Sequence, residues 1–563
     1  MTARRGILAA VVALSALVLT ACGGFATSGP VEYGNARGTT ADESQNFVFL
    51  PNLPQPGASP AEIVEGFINA GTGPGADGKW SVAREFLAPG FRGEWDPEAS
   101  VTVDIAADRT YSESEGGAVD FSYDAVATVD DRGAYERAEL AERSLPFTLR
   151  QQSDGEWRIT DAPDGVVVDR DQFPRVFHRY PIMYFDPTWD YLVPDVRWFP
   201  TGNAETRISR ALVNQPRSEW LVESVVTAFP DGVTAQLVLN DGGVAQVELT
   251  EDAAAAGRET LDRMLTQLEA SLAAAGVLDV EMRTATTPLT AQPVETRSTR
   301  LPASPLVYTE AGFGFLVGEE LEPIPGLTAQ VVELEQAPAA IQVAPDRDIA
   351  GVRLAGGEVV RVYADGTDME PLDDRPGLVD PTVDPEGNVW SAPREEPAAL
   401  RVYLRSGEMR EIEDAWPGAT AISAMALSRD GTRLTATVTA GGRTMLWVAG
   451  VVRDSDGLPI ALGTPLQLAI VGAPASAVTW IDDATIGVLA GDASGWTVLE
   501  QTVGGPSAST TAPADSSSIA GGNGLSSLRL RAADGTLYVK RGVTWQPTMT
   551  GVLVLATQQG APQ

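Results

Sequence analysis

Cys22 is the only cysteine in 563 residues, and its thiol is the strongest side-chain nucleophile the chain carries. It closes the tetrapeptide Leu19-Thr20-Ala21-Cys22. Ahead of it lie Arg4 and Arg5 and then an apolar run from Ile7 to Leu19. That run falls short of the ~20 residues a spanning helix needs. Basic start, short apolar stretch and small residues together predict an export signal over residues 1–21, cleaved between Ala21 and Cys22. The alternative is an ordinary signal peptide with a chance cysteine, although one unpaired thiol is unusual in an exported chain. No disulfide can form within the chain, so its domains must stand on packing alone.

Leu19, Thr20, Ala21 and Cys22 resemble the lipobox of bacterial lipoproteins. The resemblance implies that the Cys22 sulfur takes a diacylglycerol and that further acylation, such as palmitate, follows cleavage. Two or more acyl chains hold a protein stably to a bilayer, at about 0.8 kcal/mol per buried CH₂.

Other chemistry is scarce. His178 is the only histidine, and Lys79 and Lys540 are the only lysines. A Ser-His-Asp or Cys-His relay could use only His178, and multi-histidine metal sites are excluded. The usual hydrolase, metalloprotease and phosphate-loop motifs do not occur. Gly71-Thr72-Gly73-Pro74-Gly75-Ala76 fits a dinucleotide fingerprint in letters, but it follows a predicted helix where that fingerprint must follow a strand. It therefore reads as a loop. Asp454-Ser455-Asp456-Gly457 resembles the start of a calcium loop without its later acidic ligands, and reads as a hairpin turn. A lone histidine in Phe177-His178-Arg179-Tyr180 reads as a packed or solvent-facing residue between domains. Carboxylate pairs for glycoside hydrolysis are defined by separation in space, on which sequence is silent. No cofactor or metal is expected, and the chain does not read as an enzyme.

The formal charge is −36, from 40 Lys and Arg against 76 Asp and Glu. Loss of a signal bearing Arg4 and Arg5 leaves 38 against 76, or −38. Phosphate backbones and anionic lipid faces are repelled by such a surface. Nucleic acid is thus not an expected partner, and membrane attachment must come from the lipid.

The elements fall into blocks. Residues 22–58 mix Gly, Pro, Ser and Thr with little periodicity and read as a flexible tether. A first α+β domain, 59–170, opens on Ser59-Pro60-Ala61-Glu62, a capping-box start. Its helix carries Ile63, Val64, Phe67 and Ile68 on one face, and a second helix is expected over 82–87. Strands follow over 101–105, 119–129, 145–151 and 157–159. A second α+β domain, 179–290, has strands over 180–185, 192–199, 244–249 and 278–282 and a helix over 204–215. Its clearest helix covers about 257–275, where Leu261, Met264, Leu265, Leu268 and Leu272 share a face. A connector, 291–327, leads to an all-β region, 328–557. There Asp/Gly turns at 344–348, 383–387, 427–431 and 533–535 recur at intervals of roughly 40 residues or multiples, the period of propeller blades. Five or six blades fit. Residues 506–524 read as a low-complexity loop.

In combination these blocks resemble LpqB, an actinobacterial lipoprotein family, over essentially the whole chain. Ile63–Ala70, Ala83–Pro89 and Trp95 are similar to its N-terminal domain. Tyr191–Pro200, Ala211–Pro216, Ala228–Val233 and Arg263–Leu272 are similar to a GerMN domain of sporulation and germination proteins. Leu378–Trp390, Ala424–Leu434 and Val478–Leu489 are similar to its C-terminal propeller domain. The helices-then-sheet order of the first domain is also similar to the cone of the nuclear-transport-factor-2-like superfamily. The resemblance implies a lipid-anchored protein on the outer face of the cell membrane, an accessory modulator of the MtrA–MtrB two-component system. Its implied partner is the extracytoplasmic region of the MtrB-type sensor histidine kinase, with effects on cell-wall homeostasis and division. The rival reading is a lipoprotein that binds a cell-wall glycan or peptide.

Overall fold

The structure is a computed structural model that describes residues 51–75, 78–138, 141–560 and 562. Residues 1–21 and most of the expected tether lie outside the described residues.

The first module begins where the capping residues place it. Helix Pro60–Gly71 is capped by Ser59, whose Oγ accepts the Glu62 N–H at 3.3 Å while Glu62 Oε2 accepts the Ser59 N–H at 2.8 Å. Ile63, Val64, Phe67 and Ile68 on its inner face are all buried, each stabilising the packing by roughly 1.5–3 kcal/mol. The helix expected over 82–87 is cut to Ser81–Arg84. Sheet pairing takes the remainder: Ile159 N–H donates to Phe86 O at 3.0 Å and Ala88 N–H to Ile159 O at 2.7 Å, stretching the chain through Leu87. The sheet behind runs in the order Trp157–Asp161, Glu142–Gln151, Ala118–Asp130, Ser100–Asp104, Val166–Asp169. Only its last pairing is parallel. Along Ala118–Asp130 every second residue from Val119 to Val129 is buried, the period of two that a half-buried strand requires.

In the second module, Phe177–Phe185 and Leu192–Pro200 form an antiparallel hairpin. A separate four-stranded sheet is ordered Ala235–Asp241, Val244–Leu249, Asp279–Arg283, Pro288–Leu289. Its two central strands are parallel, and helix Arg258–Leu272 makes the crossover between them. Met264, Leu265, Leu268 and Leu272 are buried as the period demands, with Leu261 at the margin. Ala235–Asp241 has no counterpart among the expected strands. Helix Ala204–Val213 ends ahead of the expected residue 215: Asn214 is its C-cap, and the Asn214 side chain brackets Ala235, donating to its O at 3.0 Å and accepting its N–H at 2.7 Å.

The C-terminal module is a ring of six sheets. Its inner strands are Pro338–Val343, Thr382–Val383, Ala421–Leu427, Ala475–Trp480, Ser516–Ala520 and Val552–Gln558. Successive members of this set touch, and the last returns to the first through a parallel pairing of Gln342 and Val343 with Thr557 and Gln558. The six sheets are called blades I to VI, with blade I built on Val552–Gln558 and blades II to VI on the other inner strands in chain order.

Blade I corrects the expected connector. Leu306–Thr309, Gly312–Val317 and Glu320–Glu322, all inside 291–327, are its outer strands, and Leu306–Thr309 pairs with the C-terminal Val552–Ala556. Chain ends that share one sheet close the ring and leave no open edge between first and last blade. The segment 506–524 is likewise not an unstructured loop. Ser507–Thr511 is the outer strand of blade V and Ser516–Ala520 the inner strand of blade VI.

The Asp/Gly turns do sit between strands. In blade III, Asp384 Oδ1 accepts the Asn388 N–H at 2.8 Å, and in blade IV Asp430 Oδ1 accepts the Thr432 N–H at 2.9 Å. A carboxylate that bonds the backbone ahead of it is why aspartate suits these corners.

Candidate functional site

Cys22 and its neighbours Leu19, Thr20 and Ala21 lie outside the described residues. His178 is half-buried in strand Phe177–Phe185, opposite Phe199, where Phe177 joins the core of the first module and Tyr180 that of the second. Lys540 pairs with Glu500 and faces the Trp545 ring at 5.9 Å. Gly71 ends helix Pro60–Gly71, and no strand precedes it as a nucleotide fingerprint would need. Asp454 closes a tight turn, its Oδ1 accepting the Asp456 and Leu458 N–H groups and its Oδ2 an Arg410 N–H. Among the described residues no three His, Cys, Asp or Glu side chains are grouped as metal ligands.

What the fold assembles lies instead on the propeller axis. Residues of the inner strands of blades I, II, IV, V and VI surround a cavity of about 60 Å³. Segment Leu301–Leu306, arriving from the second module, forms part of its wall. That segment is tied down on both sides. Leu301 exchanges two 2.8 Å hydrogen bonds with the Asn523 side chain, Arg529 Nη2 donates to Ala303 O, and Thr299 Oγ1 donates to Asp483 Oδ2 at 2.9 Å.

Two arginines line this cavity. Arg429, 7 % exposed, follows the inner strand of blade IV and donates through Nη2 to Trp480 O at 3.0 Å. Arg529, on the second strand of blade VI, donates through Nη1 to Ser527 O at 2.8 Å besides its bond to Ala303. Burial holds both guanidinium pKa values below the usual range, and for Arg529 the nearby Arg541 charge adds to it. Next to them Asp430 is fully engaged, by Arg433, Ser428 and Thr432, and these partners keep its pKa low in spite of burial. Arg433 also lies over the Trp480 ring at 4.7 Å. Burial pushes the Asp483 carboxyl up.

Sequence reading missed Arg429 as a site residue. Leu427-Ser428-Arg429-Asp430-Gly431 reads as a turn, and nothing in it distinguishes an arginine pointing at an axis from one in solvent. Arg347, in the matching turn of blade II, instead sits over the Phe315 ring at 4.5 Å.

The modules are joined by packed side chains. Trp198, from the second module, is buried in the core of the first, with its ring 5.1 Å from Phe173, and its Nε1 donates to Gly504 O of blade V at 2.8 Å. Arg207 and Glu98 form an ion pair at 2.6 Å across the same two modules. Trp220 packs against the apolar cluster shared by blades IV and V, which includes Leu446 and Leu468. Between the second module and the propeller, Glu386 lies near Asp384, Asp186 and Arg453 with its side chain 47 % exposed, and desolvation by the surrounding protein first, then the Asp384 charge, push its carboxyl up to about 7.

Two α+β modules clasped to a six-bladed propeller, with an axial cavity and no assembled metal cluster among the described residues, define a multidomain propeller protein. Residues 53–174 match the family model "Lipoprotein LpqB, N-terminal domain", residues 181–284 the model "Sporulation and spore germination", and residues 314–554 the model "Lipoprotein LpqB beta-propeller domain". The chain belongs to the LpqB lipoprotein family. Lipoprotein LpqB of Streptomyces coelicolor is 27% identical over 536 residues, 85% of each chain. That of Streptomyces avermitilis is 26% identical over 607 residues, 96% of each chain. Lipoprotein LpqB of Cutibacterium acnes is 30% identical over 256 residues, which are 46% of this chain and 42% of that one. The TolB structure from Acinetobacter baumannii aligns at 13% identity with a TM-score of 0.31, over 44% of this chain and 64% of that one.

Proposed function

We propose that this chain is a lipid-anchored extracytoplasmic protein that modulates the MtrA–MtrB two-component system by contact with the sensor region of an MtrB-type histidine kinase. The observation that carries the anchor is Cys22 in Leu19-Thr20-Ala21-Cys22, the chain's one cysteine behind a short apolar run. Membership in a lipoprotein family supports it. Among the described residues no helix is long and apolar enough to cross a membrane. In this reading residues 1–21 are removed, diacylglycerol and palmitate are carried on Cys22, and residues 22–58 lift the modules from the bilayer. The first module acts as a nuclear-transport-factor-2-like packing unit and the second as a GerMN unit. Loops of a rigid propeller present the contact surface.

The anchor is tested by mass spectrometry of the mature amino terminus. An acylated Cys22 is expected, and an unmodified thiol removes the claim. The partner is tested by pull-down of the mature protein with the sensor region of the cognate kinase. Absence of specific binding at micromolar concentration removes the partner and leaves the anchor standing.

A further inference from the structure

We propose that the axial cavity of the propeller is a binding site for a small monocarboxylate, gripped by the guanidinium groups of Arg429 and Arg529. The proposal is independent of the kinase reading.

Arg429 and Arg529 carry charge on the cavity wall without an ion-pair contact among the described residues. In a chain with 76 acidic against 40 basic residues, an arginine finds a carboxylate easily. Arg361, Arg375, Arg410 and Arg433 each do so in this propeller. Arg429 and Arg529 donate to carbonyl oxygens, and among the described residues neither forms an ion pair. Arg429 is buried and Arg529 half-buried, and hydrogen bonds to carbonyl dipoles offset only part of the desolvation cost of such charges. The lowered pKa of both groups reflects that cost. An incoming anion removes it.

The negative charges facing Arg429 are those of Asp430, Asp482 and Asp483. Asp430 is neutralised by Arg433. Asp482 Oδ1 accepts the Ala484 N–H at 2.9 Å. Asp483 accepts the Thr299 hydroxyl, and burial raises its carboxyl pKa against the lowering effect of the Arg429 charge. None of the three contacts the Arg429 guanidinium, so the positive charge on the cavity wall stays available.

A volume of about 60 Å³ has room for several waters, and so for a carboxylate head with a one- or two-carbon tail. Leu306, Phe315, Leu427 and Leu555 supply apolar wall for the tail. Guanidinium groups match the planar two-oxygen face of a carboxylate in a bidentate fork, and the apolar wall favours an anion that carries a hydrocarbon tail. Because Arg529 also holds Ala303 of the segment from the second module, occupancy is felt outside the propeller.

The test uses the full chain with sodium acetate and sodium propionate, against sodium chloride and sodium phosphate at equal ionic strength and pH. Binding is followed by ¹³C-acetate line broadening and by the thermal transition. So small a ligand is expected to bind with a Kd of about 1–10 mM. Arg429→Gln and Arg529→Gln should each weaken it about tenfold or more. Amide exchange at Leu301, Ala303 and Ser304 should slow on binding. Ala520→Leu, which fills the cavity without touching either arginine's charge, should abolish binding and serves if an arginine variant does not fold. No saturable broadening with the unmodified chain overturns the proposal, as does an equal response to chloride or phosphate. Acetate binding unchanged in Ala520→Leu places the anion elsewhere and also overturns it.

Discussion

Arg361 offers the sharpest test of how the blades hold together. It is 0 % exposed, on strand Val359–Tyr363 of blade II. Nη1 meets Glu370 Oε2 at 2.8 Å, while Nη2 donates to Tyr403 O and, at 2.9 Å, to Leu404 O of blade III. Arg361→Leu keeps an apolar stem and removes every donor. Glu370 is 34 % exposed and can rehydrate, so its loss counts for little. The two bonds from a charged donor that staple the blades are lost, at about 1–2.5 kcal/mol each, although Leu404 O keeps the Gly407 N–H at 2.9 Å. The variant should lose about 2–5 kcal/mol. A cooperative unit of this size shifts by roughly 2–4 °C per kcal/mol, so the propeller transition should fall by about 5–15 °C. Tryptophan fluorescence reads it well, because Trp390 and Trp416 are fully buried in blade III. The control is Arg401→Leu, whose partner Glu411 lies at 3.0 Å and is 70 % exposed; such a surface pair contributes about 0–1 kcal/mol. If Arg361→Leu melts no lower than the control, the staple argument is wrong.

Three further outcomes are expected. Ser59→Ala removes one half of the capping box and should cost about 1 kcal/mol, seen as faster amide exchange over Pro60–Gly71; unchanged exchange contradicts it. Trp198→Phe keeps the ring among Phe173 and Tyr135 but deletes the bond to Gly504 O. It should speed exchange at Gly505 and destabilise the chain by about 1 kcal/mol, and an unaffected blade V loop would refute it. Glu386, with a carboxyl raised from 4.5 to about 7, binds its proton more readily folded than unfolded. Its contribution is therefore favourable below about 4.5 and is lost as pH rises through about 7. Glu386→Gln should flatten the fall of stability across that window, and parallel pH profiles of the two proteins would exclude the assignment.

Much of the local structure was legible because it depends on neighbours in sequence. The capping box at Ser59, the apolar face of Arg258–Leu272 and the aspartate turns at Asp384 and Asp430 are contacts within a few residues, and each stands where its pattern put it. Errors gather where a distant strand intervenes. Leu87, the last residue of the helix expected over 82–87, forms a strand bridge instead because Ile159 pairs with it. The serine- and threonine-rich residues 506–524 lack a hydrophobic signature, yet the backbone of Ser507–Thr511 pairs with Thr497–Gln501, and that pairing asks only for N–H and C=O groups. Gln267 sits on the buried side of an otherwise apolar helix because Ala228 N–H and Met183 O both need its amide, at 2.6 and 2.9 Å.

By itself the sequence determined the acidity of the chain, the single cysteine behind a short apolar run, the order of α+β and all-β blocks and the period of the blades. These follow from residue identity and short-range spacing. Tertiary structure alone decided that six blades close by joining Leu306–Thr309 to Val552–Ala556, that Trp198 locks three modules together, and that Arg429 faces the axis without an acid partner. Each of these depends on groups far apart in the chain meeting in a space from which water is largely excluded, and no local pattern encodes which distant group will be there.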